Sequence, residues 1–187
     1  MKNLKTRDLA YMSLYITLAI VLEYVSKIIP FEMANGGKIE LHVIALFVAG
    51  LHLGFKKGAV VALLTFTLEC LLGMNTWMIN AGQICLDYIL PLLACGIAPL
   101  YIRIGKNNIY SSVVIGMFIK FISHVISGAV FYAEGAPLLN WGTWSFSITY
   151  NLTFNLPTMI VALLVVGILM NKLKRYNNIN CIGIKGQ

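Results

Sequence analysis

Six apolar segments, parted by short polar connections, fill nearly all of the chain between Leu9 and Met170. A bilayer's hydrocarbon core is about 30 Å thick and asks for about 20 apolar residues of helix. The sequence predicts spans over residues 9–29, 39–55, 58–72, 78–102, 109–132 and 144–170. The second and third are short for an unaided crossing, which implies a tilted or compact arrangement. The rest of the composition agrees. Only 11% of residues are charged and 59% are hydrophobic, with a mean hydropathy of +0.81, whereas a soluble domain carries about 25% charged residues. The expected architecture is therefore all-α, integral to the membrane, with six transmembrane helices. One membrane domain covers residues 1–187, and residues 171–187 form a polar cytoplasmic tail.

The charges that exist are sorted. Of 14 Lys and Arg, the N-terminal tail holds Lys2, Lys5 and Arg7, and the C-terminal tail holds Lys172, Lys174, Arg175 and Lys185. Two connections hold Lys56, Lys57, Arg103 and Lys106. With six spans these four regions share one side, and basic residues favour the cytoplasmic side. The predicted orientation is N-in and C-in. The net charge of +7 thus reports topology; no basic stripe interleaved with aromatics speaks for nucleic acid.

Cys70, Cys85, Cys95 and Cys181 show no C-x-x-C spacing and read as unpaired thiols buried in helices. The basic N-terminus before an apolar run imitates a signal peptide. The run is too long and lacks a small-residue cleavage site, so it reads as a retained first span.

Ionisable residues inside a span are costly and raise a functional question by default. Glu23 and Lys27, four apart on the first span, are explained by an ion pair within the helix. His52 lies one turn before Lys56 and reads as an interfacial residue. Glu69 either lines a site or meets water. Asp87 has no basic residue within a helical turn, so its partner comes from another helix or a ligand. Lys120, His124, Ser127 and Gly128 share one face of the fifth span, and Lys120 is a candidate partner for Asp87 or Glu69. Asn151 and Asn155, one turn apart, serve either a site or a helix contact. With Trp77, Tyr132, Trp141 and Trp144 above them, these groups would suit a small heteroaromatic ligand, especially a cation, entering from outside. No phosphate-binding loop, H-E-x-x-H or G-x-S-x-G occurs. Any energy for uptake comes from another protein.

Four stretches carry a likeness: Asn35-Gly36-Gly37 with Ile39-Glu40; Leu86-Asp87-Tyr88; Lys120-Phe121 through Ser123-His124, Ile126-Ser127-Gly128 and Phe131; and Ser147 to Asn151. They resemble the ThiT/YuaJ family, the thiamine-specific substrate-binding (S) components of energy-coupling factor (ECF) transporters, from about residue 8 to 172. The resemblance implies the six-helix S-component fold in a bacterial plasma membrane, with a vitamin site near the outer face capped by the loop between helices 1 and 2. It places substrate-binding roles on Asp87, Tyr88, His124, Gly128 and Asn151, on Tyr132 where the family can carry Trp, and on Glu40 through the Asn-Gly-Gly register. Phe146 stands where the family has a tyrosine, and a stacking role falls on Trp141 or Trp144. The resemblance further implies docking through small residues of helix 1, here Ala10, Ser13 and Thr17, onto a membrane scaffold subunit served by two cytoplasmic ATPases.

The function expected is high-affinity thiamine binding from outside for uptake, with no catalysis, no metal and no cofactor. The alternative is an S component for another vitamin or a pyrimidine precursor. A membrane-embedded enzyme using Asp87 and His124, or a self-sufficient ion-coupled transporter, ranks below both.

Overall fold

The computed structural model describes residues 5–33, 36–75, 77–101, 108–133 and 137–176. Six helices form an all-α bundle: α1 (Thr6–Ile28), α2 (His42–Leu53), α3 (Phe55–Leu71), α4 (Ala81–Gly96), α5 (Asn108–Phe131) and α6 (Trp141–Tyr176). A 3₁₀ turn, Ala98–Tyr101, follows α4. No strand occurs among the described residues; a single antiparallel bridge joins Glu32 to Lys38. Residues 177–187 of the expected tail, with Cys181, lie outside the described residues, whereas α6 continues beyond Met170 to Tyr176.

Three helices are long and apolar enough to cross a membrane: Thr6–Ile28, Ser111–Phe131 and Trp141–Leu173. At 1.5 Å per residue, 23 residues reach about 35 Å. Their outward faces are greasy, with Leu14, Ile28, Phe118 and Leu164 all well exposed. Lipid-facing leucines are what a bilayer solvent asks for.

Helix α2 is different. Its 12 residues, about 18 Å, are buried on every side, as expected of a helix that is apolar all round. It starts three residues later than predicted because residues 39–41 belong to the loop that precedes it. Being enclosed by α1, α3, α4 and α6, it is not required to span lipid alone.

Where α2, α3 and α4 meet, the backbones touch. A Cβ on Gly50 or on Gly58 would run into the Gly96 carbonyl, and a Cβ on Gly96 would lie 2.5 Å from the Gly58 carbonyl oxygen. At the end of the bundle where α1 begins, Lys57 pairs with Asp8 at 2.8 Å, tying the α2–α3 turn to the start of the chain.

The structure corrects three readings of buried polar residues. Glu23 does not pair with Lys27; it holds Lys38 and His42, and Lys27 donates instead to the Met74 carbonyl (3.0 Å). Four-residue spacing permits a pair on a helix, but the buried Glu23 carboxylate is taken by two cationic donors from elsewhere in the chain. His52 is buried rather than interfacial, 2.8 Å from the Tyr15 hydroxyl. Of the cysteines, Cys95 is buried as expected, while Cys70 and Cys85 are free and exposed on the outer faces of α3 and α4.

Candidate functional site

At the end of the bundle away from Lys57 and Asp8 lies a cavity of about 260 Å³. Its wall is made by all six helices and by the loop between α1 and α2. Of the ten residues for which the likeness implies a substrate-binding role, eight line it: Glu40, Asp87, Tyr88, His124, Gly128, Tyr132, Phe146 and Asn151. Trp141 and Trp144 do not. Trp141 is exposed, and the Trp144 indole N–H donates to the Leu138 carbonyl at 2.7 Å. The aromatic residues that do face the cavity include Trp77, Tyr150 and Phe154.

Helix α4 changes its winding where the chemistry sits. Residues Cys85–Ile89 form one π-helical turn around Asp87 and Tyr88, a departure often found at functional sites. Pro91 explains what happens to the freed carbonyls. It has no N–H, so neither Leu86, five residues earlier, nor Asp87, four earlier, receives a bond from it. Both carbonyls turn to α5: Ser123 Oγ donates to Leu86 and His124 Nε2 donates to Asp87 at 3.2 Å. A carbonyl only accepts, so Nε2 carries the hydrogen. His124 Nδ1 is then the acceptor for Asn155 Nδ2 at 3.4 Å. Asn155 Oδ1 in turn accepts from Lys120 at 3.0 Å.

Asp87 itself is held by neutral donors. Its Oδ2 accepts from Gln83 Nε2 (2.7 Å) and from the Tyr132 hydroxyl (3.2 Å). Gln83, buried one turn before Asp87, also donates to the Trp77 carbonyl (2.9 Å). Among the described residues no basic side chain lies within ion-pair distance of Asp87. Lys120, expected to neutralise Asp87 or Glu69, pairs with Glu40 instead. It comes across from α5, and Phe154 packs beneath it with its ring centroid 5.6 Å from Nζ.

Asn151 ties α6 to α5, donating to the His124 carbonyl (3.2 Å) and to the Ser147 carbonyl (2.9 Å). Gly128 makes this approach possible: a Cβ there would strike Ser147 Oγ and lie 3.1 Å from Asn151 Nδ2.

Described residues of the loop between α1 and α2, among them Glu32, Gly36, Gly37 and Lys38, line the cavity. The predicted turn is present: Gly36 has φ +83°, and Met33 N–H donates to the Gly37 carbonyl at 2.7 Å. Asn35 of that motif lies outside the described residues. Gly36 packs on Trp77, and Gly37 packs on Tyr150 and Phe154, too closely for a side chain at either position. The loop is pinned by Gly37 N–H to the Tyr150 hydroxyl (3.1 Å), Glu40 N–H to Thr158 Oγ1 (3.2 Å) and Leu41 N–H to Ser26 Oγ (2.9 Å). Replacing Tyr150 with Phe removes the first of these, a bond worth about 1 kcal/mol. The expected result is roughly fivefold faster hydrogen exchange at the Gly37 amide. An unchanged rate would mean that Tyr150 does not restrain the loop.

A profile of the thiamine transporter protein family (Thia_YuaJ) matches residues 9–178 of this sequence. The chain belongs to that family. It is 32% identical to the thiamine transporter ThiT of Bacillus subtilis (strain 168), over 81% of this chain and 83% of that protein. Its fold is similar to the solved structure of ThiT from Listeria monocytogenes, with a TM-score of 0.69 and 20% identity, covering 90% of this chain and 95% of the other. The family is one of transporters rather than enzymes, and its apolar helices make this member a multi-pass protein of the plasma membrane.

Sequence reasoning passed over Gln83 as a site residue and gave Tyr150 no role of its own. Gln83 looks like an ordinary polar residue near a helix start. The available signal was Pro91, which forces a break in hydrogen bonding one turn after Asp87. The small residues Ala10, Ser13 and Thr17 are exposed on α1, and the Ser13 and Thr17 hydroxyls bond back to their own helix at 2.8 and 2.9 Å.

Proposed function

We propose that this protein is the thiamine-binding S component of an ECF-type importer, taking the vitamin from outside the cell. The observation that carries the reading is Asp87, a carboxylate in the cavity wall that is bound by neutral donors and no cation. Thiamine brings a fixed positive charge on its thiazolium ring and an amino group on its pyrimidine. A carboxylate without a cationic partner suits both, and the faces of Trp77, Tyr88 and Tyr132 offer stacking and cation–π attraction. Phe146 lines the same wall without a hydroxyl, so the other polar groups fix the ligand's orientation.

The orientation we infer is N-in and C-in, because basic residues gather in the tails and in the connections after α2 and α4. The Asp8–Lys57 end then faces the cytoplasm and the covered cavity faces out. Transport would draw on ATP hydrolysed by partner subunits. The exposed face of α1 with Ala10, Ser13 and Thr17 is the proposed docking surface for the membrane scaffold, since small residues let helices approach closely.

The test is a titration of detergent-purified protein with thiamine, followed by tryptophan fluorescence. Trp77 borders the cavity, so saturable quenching is expected and Trp77→Phe should abolish most of it. Asp87→Ala should weaken binding by about 10- to 100-fold, the worth of a hydrogen bond to a charged group. Quenching by a different vitamin, with none by thiamine, would transfer the reading to another S-component specificity. Uptake into vesicles that contain no ATPase would favour an ion-coupled transporter.

A further inference from the structure

The cavity has a second polar end that no part of the reading above uses. Glu23 on α1, His42 at the start of α2 and Glu69 on α3 converge there, all buried, with their nearest ligand atoms within 4.8 Å of one another. Glu23 is satisfied: one oxygen takes Lys38, and the other takes His42 Nδ1 at 2.7 Å. Lys27 gives its ammonium to the Met74 carbonyl. Glu69 is left over. Its Oε1 has no hydrogen-bond partner, its residue is 2% exposed, and His42 Nδ1 stands 4.0 Å away with its hydrogen already committed to Glu23. The Asn75 side chain is a hydrogen-bonding neighbour of the same carboxyl group, and it is Oε1 that stays without a donor. Glu23, His42, Glu69, Met74 and Asn75 all line the cavity that Asp87 lines. A buried acceptor without a donor is costly to a fold and calls for an explanation.

We propose that Glu69 is the acceptor for a hydroxyl or amino group at the far end of a two-ended cationic ligand whose other end meets Asp87. This deepens the thiamine reading and rests on it, since thiamine carries an amine on one ring and a hydroxyethyl arm on the other. The Glu40–Lys120 pair links the two groups: Glu40 is two residues before His42, which neighbours Glu69, and Lys120 is one turn before His124, which bonds the Asp87 carbonyl. With Lys120 committed to Glu40, Asp87 keeps neutral donors only and Glu69 Oε1 keeps no hydrogen-bond donor. A divalent metal fits less well. Both Glu23 oxygens are taken, Lys38 already supplies positive charge, and His42 Nδ1 holds a proton.

The experiment compares thiamine with an analogue bearing ethyl in place of hydroxyethyl, each titrated into wild-type protein and Glu69→Met in detergent. Wild type should prefer thiamine by roughly tenfold, the worth of a hydrogen bond to a charged acceptor. Glu69→Met should erase that preference by weakening thiamine alone. If Glu69→Met does not purify folded, Glu69→Gln gives the same comparison, with the preference expected to fall to roughly threefold or less once the charge is gone. Equal weakening of both compounds would show a structural role and overturn the proposal, as would an unchanged preference. So would tight Zn²⁺ binding that the variant loses while discrimination persists. Failure of wild type to bind thiamine at all would overturn the thiamine reading itself, a result distinct from binding without discrimination.

Discussion

Lys120→Met is expected to destabilise the protein by about 3–5 kcal/mol, because it strips the counter-charge from Glu40 and leaves that carboxylate buried and unpaired. Lys120 is only 2% exposed, and its ammonium serves Glu40 and the Asn155 oxygen together. Loss of the lysine also frees Asn155, and with it the Nδ1 side of His124. The disturbance should therefore reach the π-helical turn in α4. The measurement is thermal unfolding in detergent, read alongside thiamine titration. The double variant Lys120→Met/Glu40→Gln should recover much of the loss, since removing both charges removes the unpaired one. If the double variant is no more stable than the single, the pairing is not what stabilises this level of the cavity. Glu40→Gln alone should also be costly, because it leaves the Lys120 ammonium, the more buried partner, without a counter-charge, although the new amide oxygen still accepts a hydrogen bond.

Gly96→Val is expected to be the most damaging substitution outside the cavity. Three backbones cross at Gly50, Gly58 and Gly96, and the neighbour that a new Cβ would meet is a carbonyl oxygen, which no rotamer change can move aside. Overpacking in a core commonly costs 1–3 kcal/mol, and separating α4 from α3 here should reach at least the upper end of that range. The expected result is a large fall in the yield of monodisperse protein and in its unfolding temperature. Gly96→Ala should lie between wild type and valine. A valine variant that unfolds at the wild-type temperature would mean that the helices slide apart without penalty.

Several elements were legible in the sequence for plain physical reasons. Bilayer thickness demands long apolar runs, so α1, α5 and α6 declare themselves. Asp87 stood out because a carboxylate in an apolar segment with no basic neighbour at helical spacing needs an outside partner. The likeness carried by Leu86-Asp87-Tyr88 and by the stretch around His124 pointed to residues that do share one cavity. The Asn-Gly-Gly turn predicted a sharp reversal, and Gly36 makes one.

Pairing was far less legible. Glu23 with Lys27 and Asp87 with Lys120 are reasonable from spacing and depth, yet the folded chain chooses Glu23 with Lys38 and His42, and Lys120 with Glu40. Spacing along a helix says which groups can meet, not which competitors arrive from another helix. Gln83 had no signal of its own. Its role arises because the folded chain brings the Gln83 amide against Asp87, Tyr132 and the Trp77 carbonyl at once.

By itself, then, the sequence determined the medium, the number of helices and the depth at which polar groups gather, because each depends on local hydrophobicity and on the energetic cost of charge in lipid. Tertiary structure alone decided which charges cancel and which stay uncompensated. That outcome depends on distances between helices, and it is what leaves Asp87 with neutral donors alone and Glu69 Oε1 with no donor.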